Sequence, residues 1–201
     1  MNVYRWLILA CWLVFVVYWA IAAIDAKRSV RAAAWPKEIG LRFVLVVLIG
    51  VAVRFAPLRH ALHNAQVDLA RNTLVPITGV VLCALGLGLA MLARAHLGRN
   101  WGMPMSRGEN PELVMTGPYS RVRHPIYAGI LLAMLGSALG LTVLFVAPLA
   151  LFGSYFIYSA RREEQTLQGQ FPERYAAYMQ RTGMLVPRVF RAAATGEANH
   201  R

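Results

Sequence analysis

Acidic residues are scarce in this chain: 9 Asp and Glu stand against 21 Lys and Arg in 201 residues, and charged residues of all kinds reach only 15%. That is too little charge for the surface of an ordinary soluble domain. Cysteine is nearly absent as well. Cys11 and Cys83 lie inside apolar runs without metal-ligand spacing, so they read as small buried hydrophobes and say little about redox compartment. No Gly-rich strand-to-helix fingerprint of the soluble nucleotide folds is present, no convincing Ser/His/Asp or Cys/His arrangement stands out, and neither a second domain nor a repeat is visible.

What fills the chain instead is apolar sequence, 58% hydrophobic with a mean hydropathy of +0.48. A net charge of +12 would suit a nucleic-acid binder. Here, however, the basic residues sit between apolar runs, membrane topology accounts for them, and no nucleic-acid partner is expected.

The expected fold is all-α, a polytopic membrane protein with about five transmembrane helices. Val3 to Ile24 is a first span, since a hydrocarbon core needs roughly 20 apolar residues. Trp6, Trp12 and Trp19 suit a retained anchor better than a cleaved signal. Ile39 to Phe55 is a second span after the basic stretch Asp25 to Glu38, and Pro57 to Asn72 suits a helix lying in the interface. His60 and His63 there lack partners at ligand spacing and read as a solvated face. Leu74 to Leu97 is a third span, with Gly79, Cys83, Gly86, Ala90 and Ala93 at a period that allows close helix packing.

The apolar run from Ile126 to Ser159 would reach ~50 Å as one helix at ~1.5 Å per residue, too long for a ~30 Å core. A break at Gly140 to Thr142 is expected, giving a hairpin of a short fourth span and a fifth span bent at Pro148. Gly129, Ala133, Gly136 and Gly140 share one face of the fourth span. The fifth helix should leave the membrane and run to about Gln168, and Pro172 should open a short helix with Tyr175 and Tyr178 on one face. The whole is one membrane domain. Residues 1–97 hold three spans and the interfacial helix, 98–190 the loop, hairpin and C-terminal segment, and 191–201 a frayed tail.

Most Lys and Arg fall on the side holding Asp25 to Glu38, Arg94 to Arg123 and the tail from Arg161. That side is therefore expected to be cytoplasmic, with the N-terminus outside. Candidate site residues converge there. In Gly117 to Gly129, Pro125 opens a helix whose first N–H groups are unpaired and whose dipole offers roughly half a positive charge. Arg121, Arg123 and His124 add to it, so the stretch suits a carboxylate or phosphate; the alternative is a positive-inside cluster with a good helix start. Glu163 and Glu164 return to the same surface. They either pair with Arg161, Arg162 or Arg174, or accept hydrogen bonds from hydroxyls or an ammonium. Tyr119, Tyr127, Tyr155, Tyr158 and Trp101 either face a cation or anchor the interface.

Together, Gly117-Pro118-Tyr119, Arg123-His124-Pro125-Ile126-Tyr127 with Gly129, Glu163-Glu164 with Leu167, Phe171, Tyr175 and Tyr178, and Val186-Pro187 resemble the isoprenylcysteine carboxyl methyltransferase family. That family lies within the integral membrane methyltransferases that include phospholipid methyltransferases. Leu97-Gly98-Arg99-Asn100-Trp101 fits the segment preceding the motif in bacterial members, and the resemblance covers Leu97 to Phe190.

The resemblance implies S-adenosyl-L-methionine as methyl donor, bound at the cytoplasmic face of a bacterial inner-membrane protein. It implies that His124, Pro125, Tyr127 and Gly129 shape the cofactor pocket with Tyr119, Tyr175 and Tyr178. Glu163 or Glu164 would contact the polar groups of the cofactor, Arg121 and Arg123 would neutralise its carboxylate, and Arg162 and Arg174 would position an anionic acceptor.

The acceptor is expected to be lipophilic and to enter from the membrane lipids. A carboxylate is the simplest nucleophile because it needs no base. A phospholipid amine or a small thiol is the alternative acceptor. A non-enzymatic module binding anionic lipids, and a small transporter, are the remaining classes.

Overall fold

The computed structural model describes residues 3–24, 72–98, 113–141 and 143–188. Within them lie five α-helices, which we label α1 (Val3–Ile24), α2 (Leu74–Leu97), α3 (Pro125–Gly140), α4 (Val146–Gln170) and α5 (Pro172–Arg181). Two short 3-10 turns, Gly117–Ser120 and Val143–Phe145, join them. The described residues hold no strand, only an isolated parallel bridge between Val122 and Gly183. The all-helical membrane architecture expected from composition is thus the one observed. The expected second span from Ile39 to Phe55 and the interfacial helix up to Arg71 lie outside the described residues.

Local chemistry explains the boundaries. Asn72 accepts the Leu74 N–H at 2.9 Å and starts α2. Pro125 and Pro172 each stand at the first positions of their helices, where a missing N–H removes no bond. Phe171 is both the C-cap of α4 and the N-cap of α5, at φ −135° and ψ 62°, so one residue makes the corner. Pro148 does not bend the fifth expected span. It falls at the third position of α4, inside the first turn, where no helical hydrogen bond is lost.

In length and composition α1 (Val3–Ala22) and α2 can cross a membrane, whereas α3 is a shorter apolar helix. Lipid supplies no hydrophobic drive between helices, so close contact must come from small residues. The α2–α3 pair is built this way: a Cβ at Gly86 would stand 2.5 Å from the Gly129 carbonyl oxygen, and one at Gly136 would stand 2.5 Å from the Gly79 carbonyl oxygen. Backbone touches backbone along the whole pair. α1 closes over it through Ile8 and Phe15, and Trp12 Nε1 donates to Ser137 Oγ at 2.9 Å. The outward faces of α1 and α2 carry exposed Trp6, Leu13, Val16, Leu85 and Leu92, as a lipid-facing surface should. This tight pair holds the N-terminus of α3 at one end of the bundle.

Candidate functional site

The start of α3 is clamped by chain from far downstream. Arg123 N–H donates to Gly183 O at 2.8 Å, His124 N–H donates to Met184 O at 3.0 Å, and Gly183 N–H returns to Arg121 O at 3.3 Å. Gly183 is needed at this crossing, because a Cβ there would collide with the Val186 carbonyl. Above the clamp α5 packs its buried Tyr175 and Tyr178, and the Tyr178 hydroxyl donates to Tyr119 O at 2.6 Å. The expectation that Tyr175 and Tyr178 share one inward face of a short helix is therefore what the structure has.

Two carboxylates reach this point from α4, where the helix has left its apolar stretch. Arg123 Nε donates to Glu164 Oε1 at 2.6 Å, and both side chains are buried, 7% and 6% exposed. The same guanidinium gives Nη1 to Thr182 O at 2.5 Å and, more distantly, to Met179 O at 3.4 Å. His124 lies between the glutamates, with Nε2 3.3 Å from Glu164 Oε1 and Nδ1 3.8 Å from Glu163 Oε2. An imidazolium donates toward both; a neutral ring donates to one.

The two glutamates differ electrostatically. Burial raises the Glu163 carboxyl above its ordinary range, opposed by His124 and reinforced by Glu164. Burial acts on Glu164 too, but hydrogen bonds from His124 and Arg123 and the charges of both prevail and hold it below that range. Neighbouring carboxyls are thereby driven apart, one toward retaining a proton and one toward losing it. Burial also lifts the Tyr178 phenol, to about 12.

From His124 a column of rings runs toward the apolar part of the bundle. His124 stacks on Tyr127 at 5.5 Å, Tyr127 stacks on Phe156 at 4.6 Å, and Phe152 and Tyr155 lie at the edge of Phe156. Tyr127 Oη is 3.4 Å from Ser159 Oγ, midway between the rings and the carboxylates. At the helix start Ala128 N–H donates to His124 O at 3.0 Å, so the first turn of α3 opens on His124.

Among the residues singled out from sequence, Tyr119, Arg123, His124, Pro125, Tyr127, Glu163, Glu164, Tyr175 and Tyr178 are gathered here. Arg121 stands exposed at the edge, with only its backbone in the clamp. Arg123 is engaged by Glu164, so the cationic and anionic halves meet each other directly. Gly129 is one turn inside α3 and belongs to the contact with Gly86. Arg162 is exposed, 6.0 Å over the Tyr158 ring, and Arg174 is exposed on α5. The sequence reading passed over Thr182 to Met184 and Ser159. A glycine just past a helix ending in Arg181 was the available signal for the first, and no periodicity marks the second.

The fold and this site define a class: helical membrane proteins whose functional end is built by a hairpin and a C-terminal segment. The chain belongs to the phospholipid methyltransferase family, whose model matches residues 74–174. The fold is similar to that of the eukaryotic intramembrane Ras methyltransferase, isoprenylcysteine carboxyl methyltransferase. The TM-score is 0.54, with 21% identity over 79% of this chain and 55% of that one. The resemblance drawn from the motifs is borne out by both. Two bacterial relatives are similar in sequence. The cobalt-zinc-cadmium resistance protein CzcN of Cupriavidus metallidurans is 38% identical over 108 residues, 52% of this chain and 50% of its own length. The nickel-cobalt-cadmium resistance protein NccN of Alcaligenes xylosoxydans xylosoxydans is 33% identical over 123 residues, 59% and 57% respectively. The chain thus spans about half the length of the curated relatives it matches.

Proposed function

We propose that this protein transfers a methyl group from S-adenosyl-L-methionine to a lipophilic acceptor at the α3 N-terminus. The observation that carries the reading is the pair of unlike carboxylates there: Glu164 is committed to Arg123, while Glu163, 22% exposed, makes its one ion-pair contact among the described residues with His124, at 3.8 Å. The donor set fits such a ligand. Glu163 can accept hydrogen bonds from ribose hydroxyls or an ammonium, and the positive end of the α3 dipole with exposed Arg121 can hold a carboxylate. Bound there, the cofactor would supply an activated methyl. The protein then aligns donor and acceptor and excludes water, with Tyr119, Tyr175 and Tyr178 bracing the walls.

The ring column from Phe152 to His124 supports an acceptor arriving from the bilayer. We propose a carboxylate as its nucleophile, since that group needs no base, with a phospholipid amine or a small thiol as the alternatives. Arg162 and Arg174 are proposed to attract an anionic acceptor from the rim. The one-domain organisation, an inner-membrane location, a cytoplasmic site and an outward N-terminus complete the proposal, supported by the distribution of Lys and Arg.

Calorimetric titration with the methyl donor in detergent tests it: wild type should bind, and Glu163→Gln and His124→Ala should not. Well-folded wild type that fails to bind would sink the proposal. Labelled donor supplied to membranes then identifies the acceptor by the fraction that takes up label, whether lipid, protein or small thiol. Metal tolerance, named in the two relatives, would follow from that product and is checked by growth of a disrupted strain on cobalt, zinc and cadmium.

A further inference from the structure

Two serines of the α3–α4 hairpin turn their hydroxyls onto their own helices: Ser137 Oγ donates to Ala133 O and Ser154 Oγ donates to Ala150 O, each at 2.9 Å and four residues back. A carbonyl one turn back is the usual partner of a serine in an apolar helix. Ser159 is different. Its Oγ reaches across from α4 to α3 and stands 3.4 Å from Tyr127 Oη.

Hydroxyl pairs usually close to about 2.7–2.8 Å, so this one is spread. The Tyr127 ring is stacked on both sides, by His124 at 5.5 Å and by Phe156 at 4.6 Å, which holds its hydroxyl in place. Tyr127 and Ser159 are both half-buried, whereas the adjoining Ala160 is fully buried. The pair is therefore spaced and open for a third oxygen that both hydroxyls can reach.

Its place along α4 matters as much. Ser159 stands one turn before Glu163 and two residues before Arg161, where charge begins on this helix, so at ~1.5 Å per residue it lies ~3 Å inside that boundary. On the apolar side the stacked rings of Tyr127 and Phe156 lead to Phe152. An amphiphile with its tail along these rings brings its head group to Ser159, next to the seat proposed for the methyl donor.

We propose that Ser159, together with Tyr127, is the specificity-determining contact for the acceptor, and that the group it reads is the carboxylate of a lipid-soluble acid. This rests on the function proposed above and narrows its acceptor. Two hydroxyls can donate together to a carboxylate in a charge-assisted arrangement, whereas a thiol accepts such bonds weakly and an ammonium has no lone pair to accept them. Burial pushes Glu163 toward its neutral form, which lessens the repulsion that such a head group meets one turn away.

The test uses laurate carrying an isotope label at its carboxyl carbon, with laurylamine and lauryl mercaptan as probes of the same tail, and protein held in lipid nanodiscs. Laurate binding is read without donor, from the carboxyl resonance, in wild type, Ser159→Ala, Ser159→Thr and, as a control, Ser154→Ala. Wild type should bind laurate saturably, and Ser159→Ala should bind it about tenfold more weakly, as expected for one lost hydrogen bond to a charged group. Ser159→Thr keeps a hydroxyl and should stay within about threefold of wild type, and Ser154→Ala should match it. Donor affinity, titrated separately, should be the same in all of them. Labelled methyl transfer then splits the effect: in Ser159→Ala the KM for laurate should rise with kcat held, and any transfer to the amine or the mercaptan should not change.

No saturable laurate binding by wild type, equal binding by wild type and Ser159→Ala, donor affinity falling in parallel with laurate affinity, or methyl transfer to the amine or mercaptan and not to laurate would each overturn the proposal. Wild type that binds laurate but no donor strikes the proposed function instead, and the laurate comparison still decides whether Ser159 reads a carboxylate.

Discussion

Arg123 and Glu164 are 41 positions apart in sequence and form a buried ion pair at 2.6 Å, joining the residue before α3's cap to the emergent end of α4. The guanidinium is also anchored to the carbonyl of Thr182, so one side chain fastens the hairpin to the C-terminal segment. Removing one partner of such a pair leaves an uncompensated buried charge, which typically costs about 3–5 kcal/mol. Glu164→Ala should therefore lower unfolding stability in detergent by about that amount and loosen donor binding as a consequence. Glu163→Gln should leave stability within about 1 kcal/mol at neutral pH and abolish donor binding. Equal loss of stability in both variants would contradict the division of roles between the two glutamates.

The carboxyl shifts also set opposite pH dependences. Glu164 has its folded pKa below the ordinary carboxyl value of 4.5, so it contributes stability above that pH and loses it as pH falls through the folded value. Glu163 is raised above 4.5; relative to the unfolded chain its contribution is full below that pH and is lost as pH climbs through the folded value. Glu163→Gln should consequently be more stable than wild type near neutrality, with the difference vanishing below about pH 4.5, the unfolded reference. Melting temperatures of the two proteins across pH 4 to 8 check this, within the roughly neutral range where such domains are usually most stable. A constant offset at all pH values would exclude a raised Glu163.

Tyr178→Phe isolates the bond to Tyr119 O. Its loss leaves a buried carbonyl unsatisfied, for about 1–3 kcal/mol. Because the turn it holds leads into Arg121 to His124, donor affinity should fall along with melting temperature. Tyr175→Phe is the comparison: its buried ring packs edge-on against Tyr178 and survives the substitution, so the smaller effect should fall on stability alone.

Much of this arrangement was legible in the sequence because its signals are local. Pro125 and Pro172 mark helix starts, the period of Gly79, Cys83, Gly86 and Ala90 marks a packing face, and the length of Ile126 to Ser159 forces a hairpin. The meeting of Arg123 with Glu164 was legible only as a shared membrane surface. Their direct pairing depends on the rotation of α4, which α3 contacts fix and no local pattern encodes. The clamp at Gly183 was not legible, since a single backbone bridge leaves no periodicity. Gly129 shows a second use of a motif residue: it stands beside the candidate site residues in sequence, and a Cβ there would meet the α2 backbone at Gly86 and Ala90.

The α2–α3 contact yields the sharpest test of the fold. A Cβ at Gly86 would lie 2.5 Å from both Ala133 N and Gly129 O, which are main-chain atoms of a neighbouring helix and cannot swing aside. Gly88, two residues on, has nothing within 4 Å of the same added atom. Gly86→Ala must push the helices apart along the Gly79-to-Ala90 face, and overpacking of this kind costs about 1–3 kcal/mol. Gly88→Ala adds a methyl group to open space and removes a helix-interior glycine, worth a gain of roughly 0.5–1 kcal/mol. Thermal unfolding in detergent should therefore move in opposite directions for two identical substitutions two residues apart. Similar shifts for both would mean that α2 and α3 do not meet along this face, and with that contact would go the support that holds Pro125 and His124 at the end of the bundle.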